Sequence, residues 1–344
     1  MGFDKRKLQI LKAIIDDYII SAEPVGSRTI AKKYAVGLSS ATIRNEMSDL
    51  EEMGYLEQPH TSAGRIPSDK AYRLYVDQLM NHDVISLVEA EGIKKIYQQR
   101  TAELEDIVVQ TAKLLSAMTN YTSVVIGPKM SKVLIKSIQL VLVDERHVLM
   151  VVVTSAGVMK DLLLDLPKGI NRDYLSRVSN MFTDLFRNKT FSEVDLAFVP
   201  QIQKEMARQK DFFDKMIDIL SDSSSSKEHK DLHLEGATNI FNFPEYYDLL
   251  KAKEFLRLIE DKGKLYDFLS GIDNAGVSVV IGGENSFETM KGYSFVTASY
   301  KLGGKVLGSI AIIGPTRMEY SRAVSTIDYV CRNLSDYLAR MFDR

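Results

Sequence analysis

A single cysteine, Cys331, occurs among the 344 residues, which excludes a disulfide framework within one chain and suits a reducing compartment. Apolar runs long enough to span a bilayer are missing, and the opening MGFDKRKLQ lacks the apolar core of a secretion signal. Myristoylation is excluded as well, because Arg6 stands where that motif needs Ser or Thr. These absences predict a cytoplasmic protein with no membrane partner. Positive charge is not in excess either: Lys plus Arg is 44 against 46 for Asp plus Glu, a net charge of -2. No global field attracts nucleic acid, so any such binding rests on a local patch.

What is present is a clear helical pattern at the start. The length predicts two or three domains, and 45% hydrophobic content is ample for their cores. Leu8, Leu11, Ile15, Tyr18 and Ile19 recur at helical spacing until Pro24 and Gly26 break the pattern. Ser27 is expected to cap a short second helix carrying Ile30, Ala31 and Tyr34, and Gly37 to permit a sharp turn. In the third segment, SSATIRNEMSDLEEMGYL, Ile43, Met47 and Leu50 fall at i, i+4 and i+7 and must face the first two helices, with Gly54 at its end. Three short helices with a tight turn before the third describe a helix-turn-helix. YLEQ and RIP read as two short strands with PHTSAG as the tip between them, a wing. Ser68 then caps a helix with Tyr72, Tyr75, Val76 and Leu79 on one face.

A third helix packed through Ile43, Met47 and Leu50 turns Ala41, Asn45 and Ser48 to the opposite side, with Arg44 and Thr42 on its flanks. Asn can pair with adenine, Arg with guanine, and Ala or a Thr methyl can touch thymine. Ser39, Ser40, Thr42, Arg28 and the helix N-terminus suit phosphate. In the wing, His60, Thr61 and Ser62 lie at the tip, Gly64 allows close backbone approach or positive φ, and Arg65 supplies charge. A polar face alone decides nothing, since every surface helix has one and Ser-Ser is an ordinary cap. The ordered set of helices, turn and Gly-Arg wing carries the DNA-binding reading. Residues 1–80 hold 11 basic and 11 acidic side chains, so the charge must be polarised, with Arg28, Lys32, Lys33, Arg44 and Arg65 on one side and Asp16, Asp17, Glu51 and Glu57 elsewhere.

Residues 87–118 continue in helical period, after which the pattern becomes β-rich. KSIQLVLVDERHVLMVVVTSAGVMKDLLLDLP reads as a hairpin around DERH plus a third strand before Pro167. VSVVIGG and YSFVTASYKLGGKVLGSIAIIGP give three more strands, turned at Gly303 and Gly304. A final amphipathic helix carries Val324, Ile327, Val330, Leu334 and Leu338. Neither strand block suffices for a two-sided domain, so the two are expected to form one α/β domain interrupted by a helix-rich insertion. The boundaries expected are 1–86 for the DNA-binding domain with its linking helix, 87–167 and 251–344 for the split domain, and 168–250 for the insertion.

The remaining motifs are weaker. His229 and His233 stand four apart as two ligands on a helix can, but no Glu completes a zinc signature. IGGENS and KLGGK match neither a P-loop nor a dinucleotide fingerprint and read as turns. Cys331 lies beside an apolar stripe, so a buried inert thiol is expected. No catalytic constellation, metal site or cofactor site emerges, and the chain is not read as an enzyme.

PVGSRTIAKKY, SSATIRNEMSDLEEMGYLEQPHTSAGRIPSDKAYRLYVD and the distant GSIAIIGPTRMEYSRAVSTIDYV closely resemble the HrcA family of heat-inducible transcription repressors. The resemblance spans nearly the full length. It implies an α+β multidomain chain: an N-terminal winged helix-turn-helix, and a GAF-like domain interrupted by an inserted dimerising domain. It further implies a homodimer that binds an inverted repeat in double-stranded DNA upstream of chaperone operons and depends on the GroE chaperonin for its active state, which heat stress removes. For the dimer contact, the apolar residues Phe212, Phe213, Met216, Ile217, Leu220, Phe241, Phe243, Tyr246 and Tyr247 are candidates, against the plainer expectation that each fills a local core. A regulator sensing a small molecule through the GAF-like domain is the alternative, although no convergent polar set marks a ligand pocket.

Overall fold

Helix-forming stretches separated by breakers give a compact first unit. The computed structural model describes residues 4–34, 37–61, 63–97, 104–127, 134–154, 157–167, 169–190, 212, 216, 232–271, 276–302 and 305–342. α1 (Lys5–Ser21) buries Ile10, Leu11, Ile14 and Ile15, and ends on Ala22, whose φ of 56° turns the chain. α2 (Ser27–Lys33) begins after Gly26, which holds the N-cap position without a side-chain bond; Ser27, expected as that cap, is the first residue of the helix instead. α3 (Ser40–Glu52) is capped by Ser39, whose hydroxyl accepts from the Thr42 amide, and it buries Ile43, Met47 and Leu50 as the spacing predicts. Gly37 and Gly54 take positive φ of 67° and 75° at the two turns. β1 (Leu56–Glu57) and β2 (Ile66–Pro67) then pair antiparallel. Val25, ahead of α2, exchanges both backbone hydrogen bonds with Arg65 at 2.9 Å, which ties the ribbon to the helices. α4 (Asp69–Leu74), capped by Ser68, runs into one π-helical stretch at Tyr75–Leu79.

Beyond this unit, α5 (Leu87–Ile96) and α6 (Leu104–Thr119) lead to β3 (Thr122–Ile126). The next strands are β4 (Ile135–Leu142), β5 (His147–Thr154) and β6 (Gly157–Asp165), followed by α7 (Arg172–Phe186). β7 (Leu232–Glu235), α8 (Leu249–Glu260), α9 (Lys262–Ser270), β8 (Val277–Ile281), β9 (Tyr293–Leu302), β10 (Lys305–Pro315) and α10 (Tyr320–Phe342) complete the order.

The strands do not group as expected. β7-β3-β10-β9-β8 form one antiparallel sheet, whereas β4-β5-β6 form a separate sheet that pairs only with itself. Alternation explains the large sheet's two cores. Val125, Ile310 and Ile312 face α6 and α10, while Val124, Ala311 and Ile313 face α8 and α9, so both faces are covered. The small sheet packs one face, through Ile138, Met150 and Val152, on Leu175, Val178, Phe182 and Phe186 of α7. Its edge is closed by α7 as well: the Ile138 amide donates to Thr183 at 2.9 Å and the Leu140 amide to Ser179 at 2.8 Å.

The strands of residues 135–165 therefore pack with α7, and β7 pairs into the large sheet, a strand grouping other than the one expected from the sequence. Hydropathy marks a strand but not its neighbour, and the two strands that complete the large sheet, β3 and β7, lie on either side of β4–β6 and α7 in the chain.

Candidate nucleic-acid interface

α3 presents the polar face that its phase predicts. Ala41, Arg44, Asn45 and Ser48 are exposed, Thr42 is half-buried, and Ser39 and Ser40 are exposed at the N-terminus. Arg44, Asn45, Ser48 and Ser40 make no side-chain hydrogen bond or ion pair among the described residues. Ser39 is occupied: besides capping the helix it shares a 2.9 Å hydrogen bond with the Thr42 hydroxyl. Arg28, at the start of α2, is exposed and likewise unpaired among the described residues.

Two of the acids on α3 are paired from α1. Lys7 of α1 sits 2.8 Å from Glu46 and 2.7 Å from Asp49, and those two hydrogen-bonded carboxylates hold its ammonium above the ordinary lysine value. Lys33 pairs with Asp17 at 2.7 Å. Glu46 and Asp49 are thus paired, Asp49 and Glu52 stay exposed toward the C-terminal end of the helix, and Arg44 is a cation on the exposed face. Lys7 went unnoticed in the sequence, because a partner 42 positions away leaves no local signal.

The ribbon tip is braced from within. Gln58 donates its side-chain amide to the carbonyls of Thr61 at 3.0 Å and Ala63 at 3.2 Å. His60 and Thr61 are exposed beside it, and Ser62 lies outside the described residues. Gly64 has a different task from the one expected. It does not take positive φ, and a Cβ there would lie 2.5 Å from the Val25 carbonyl carbon and oxygen. The glycine lets the ribbon close on the segment before α2.

Arg65 departs from expectation too. Its Nε and Nη2 each approach one Glu51 carboxylate oxygen at 2.8 Å, and the side chain is only 19% exposed. The cation expected at the wing's edge is committed to α3, where it fixes the angle between ribbon and helix. Sequence reasoning placed Arg65 and Glu51 on opposite sides of the unit; the turn at Gly54 brings them together.

The other candidate chemistry dissolves in the same way. His233 lies on β7 rather than on a helix, and His229 falls outside the described residues. Cys331 is buried on α10, and burial pushes its thiol up to about 12, far from nucleophilic. Phe212 and Met216 pack into the small sheet's core and Tyr246 into the large sheet's, while Phe243 stacks on Tyr121 at 5.3 Å. Phe241 and Tyr247 are exposed; Phe213, Ile217 and Leu220 lie outside the described residues. Among the described residues, no helix is long and apolar enough to cross a membrane.

Known proteins bear out the regulator reading. Residues 105–324 match the family model described as HrcA protein C terminal domain. The chain is 44% identical over 346 residues to the heat-inducible transcription repressor HrcA of Ruminiclostridium cellulolyticum, covering 100% of this chain and 99% of that one. It is 40% identical to the same repressor of Alkaliphilus metalliredigens, covering 98% of each. A solved structure described as a hypothetical protein at 2.2 Å resolution has the same fold, with a TM-score of 0.72, 24% identity, and 99% and 100% coverage.

Proposed function

Because the chain belongs to the HrcA family of heat-inducible transcription repressors, non-enzymatic regulators of the stress response, we propose that its first 80 residues are a winged helix that reads an operator through α3. The exposed row Ala41, Arg44, Asn45 and Ser48, beside Glu46 and Asp49 that are paired to Lys7, carries this reading. Asn45 and Arg44 offer bidentate contacts to adenine and guanine edges. Ser40, Arg28 and the tip residues His60 and Thr61 flank that row as phosphate contacts. Arg65 acts by holding the ribbon in place.

The operator is an inverted repeat, since a homodimer presents two such helices about a two-fold axis. Support for self-association comes from the small sheet, whose face opposite α7 exposes Val141, Val143 and Leu163. Domain limits follow the strand pairing: the inserted, dimerising part lies between β3 and β7, and the GAF-like domain is the large sheet with its helices. The GroE chaperonin maintains the active state, as the family resemblance implies, and heat stress withdraws it.

The test is a salt titration of binding to a duplex bearing the chaperone-operon inverted repeat, beside a scrambled duplex, with and without chaperonin. A dimer neutralising about 6 to 10 phosphates should lose roughly 10³- to 10⁵-fold in affinity between 50 and 200 mM salt. Tight binding to the repeat alone, with a chaperonin-dependent active fraction, is expected. Equal weak binding to both duplexes in every condition overturns the reading.

One observation favours a second reading, a small-molecule-responsive regulator. A groove of about 640 Å³ lies between the first unit and the large sheet, walled by Val76, Met80, Ile85, Val279, Val324 and Tyr329, a size that suits small ligands. Repeating the titration with metabolite extract separates the two: a change in operator affinity without chaperonin favours the ligand.

A further inference from the structure

α4 stands between the DNA-facing surface and the large sheet, and it grips both. Toward α3, the Ser68 hydroxyl donates to the Gly54 carbonyl at 2.8 Å, and the Lys70 ammonium donates to the Met53 carbonyl at 2.9 Å. The Ser68 amide also donates to the Tyr55 carbonyl at 3.1 Å. α4 therefore moves with the end of α3 and with the ribbon it continues.

Toward the large sheet, Arg73 forks onto the Glu284 carboxylate at 2.8 and 2.6 Å and donates to the Val279 carbonyl on edge strand β8 at 2.6 Å. One turn earlier, Asp69 accepts from the Gly283 amide at 2.8 Å. The turn after β8 comes this close only because Gly282 has no side chain. It takes a φ of 47°, and a Cβ there would lie 2.3 Å from an Asp69 carboxylate oxygen. Arg73 lies 206 positions from Val279 and 211 from Glu284 in sequence, and the Arg73 and Glu284 side chains keep about a third of their surface in water, 32% and 37%.

Beneath this polar rim the apolar contact is continuous: Tyr72 packs against Tyr320 with ring centroids 5.8 Å apart, in one buried cluster with Ile281 and Met318, although its buried hydroxyl has no hydrogen-bond partner among the described residues. That cluster and the Arg317 guanidinium, which donates to the Ile19 carbonyl at 2.6 Å, hold the first unit down, while the buried unpaired hydroxyl subtracts from the contact and leaves its angle to the directional bonds at the rim.

We propose that Asp69 and Arg73, closed on Val279, Gly283 and Glu284, form a latch that fixes the angle of the DNA-binding unit against the large sheet, and that opening it frees that unit to re-aim. The proposal rests on the DNA-binding reading above. In a dimer held together elsewhere, the separation of the two α3 helices is set by how each α4 is seated. A change in the large sheet's edge thereby reaches the operator without touching α3. Such coupling has a physical element with two arrangements, latched and unlatched, that both sites bias.

The experiment uses the full chain with Arg73→Ala, Glu284→Gln and Gly282→Ala, the last opening the latch by bulk rather than charge. Asp77→Asn serves as control, because Asp77 also pairs with Arg73 but lies on the same helical run. Two quantities are measured: hydrogen exchange peptide by peptide, and affinity for inverted-repeat duplexes whose half-site spacing is varied. Exchange at residues 69–79 and 277–284 should rise by about tenfold or more in the three latch variants while α1–α3 stay protected. The preference for one spacing should broaden with it, and Asp77→Asn should change neither.

Exchange and spacing preference that stay at the parent level in both Arg73→Ala and Gly282→Ala overturn the latch. So does an equal effect in Asp77→Asn, which would mark a general charge effect. If the parent chain itself shows no preference for an inverted repeat, the DNA-binding reading falls while the exchange data still decide whether the latch exists.

Discussion

α3 and the ribbon lie side by side on one surface, yet they use their polar groups in opposite ways. On α3, Arg44, Asn45 and Ser48 point outward with no partner among the described residues. On the ribbon, Gly64, Arg65 and Gln58 are engaged with Val25, Glu51 and the tip carbonyls. An outward hydrogen-bonding group without a partner is available to a ligand, and a paired one is framework. A residue type that suits DNA is therefore not evidence of contact until its partners are known.

The sharpest way to break the comparison is at Gly64. Gly64→Ala forces a Cβ into the Val25 backbone, and overpacking of this kind costs about 3 kcal/mol. Thermal unfolding should fall markedly, and operator binding should disappear together with the fold of the first unit. An unchanged melting curve would mean that the ribbon has room the structure does not show.

Asn45→Ala should act in the reverse sense. Stability should stay within about 0.5 kcal/mol of the parent, as for an exposed surface residue. Operator affinity should drop by about 2 kcal/mol with random-sequence binding kept. Equal losses on operator and random duplexes would remove Asn45 from base reading.

Arg65→Ala and Glu51→Ala give the smallest effect and the finest discrimination. Read from sequence alone, Arg65→Ala should weaken binding to all DNA and flatten its salt dependence. Read from its partner, each variant should cost about 1 kcal/mol of stability, a modest figure for a pair still partly in water. The two should then weaken DNA binding alike, with an unchanged salt slope. A flatter slope in Arg65→Ala alone would return that arginine to the phosphate backbone.

Much of this was legible in the chain. Ile43, Met47 and Leu50 lie on one helical face, so the direction of Asn45 and Ser48 follows from a step of about 100° per residue. Ser39 and Ser68 were legible as caps, because a cap is a contact within three residues. The single run from Val324 to Leu338 likewise announced a helix with one buried face. What failed was every question about a distant partner. β4–β6 and the strands of the large sheet have similar hydropathy, so nothing local separated the two sheets.

The first three helices and the ribbon, the phase of α3 and the caps at Ser39 and Ser68 were determined by the sequence alone, since each depends on periodicity and on contacts a few residues long. The tertiary structure decided which strands share a sheet, that Arg65 belongs to Glu51, that Gly64 serves Val25, and that α4 is fastened to residues 279–284. Those outcomes depend on contacts between residues tens to hundreds of positions apart. Local propensity constrains such pairs only through burial, and burial does not specify a partner.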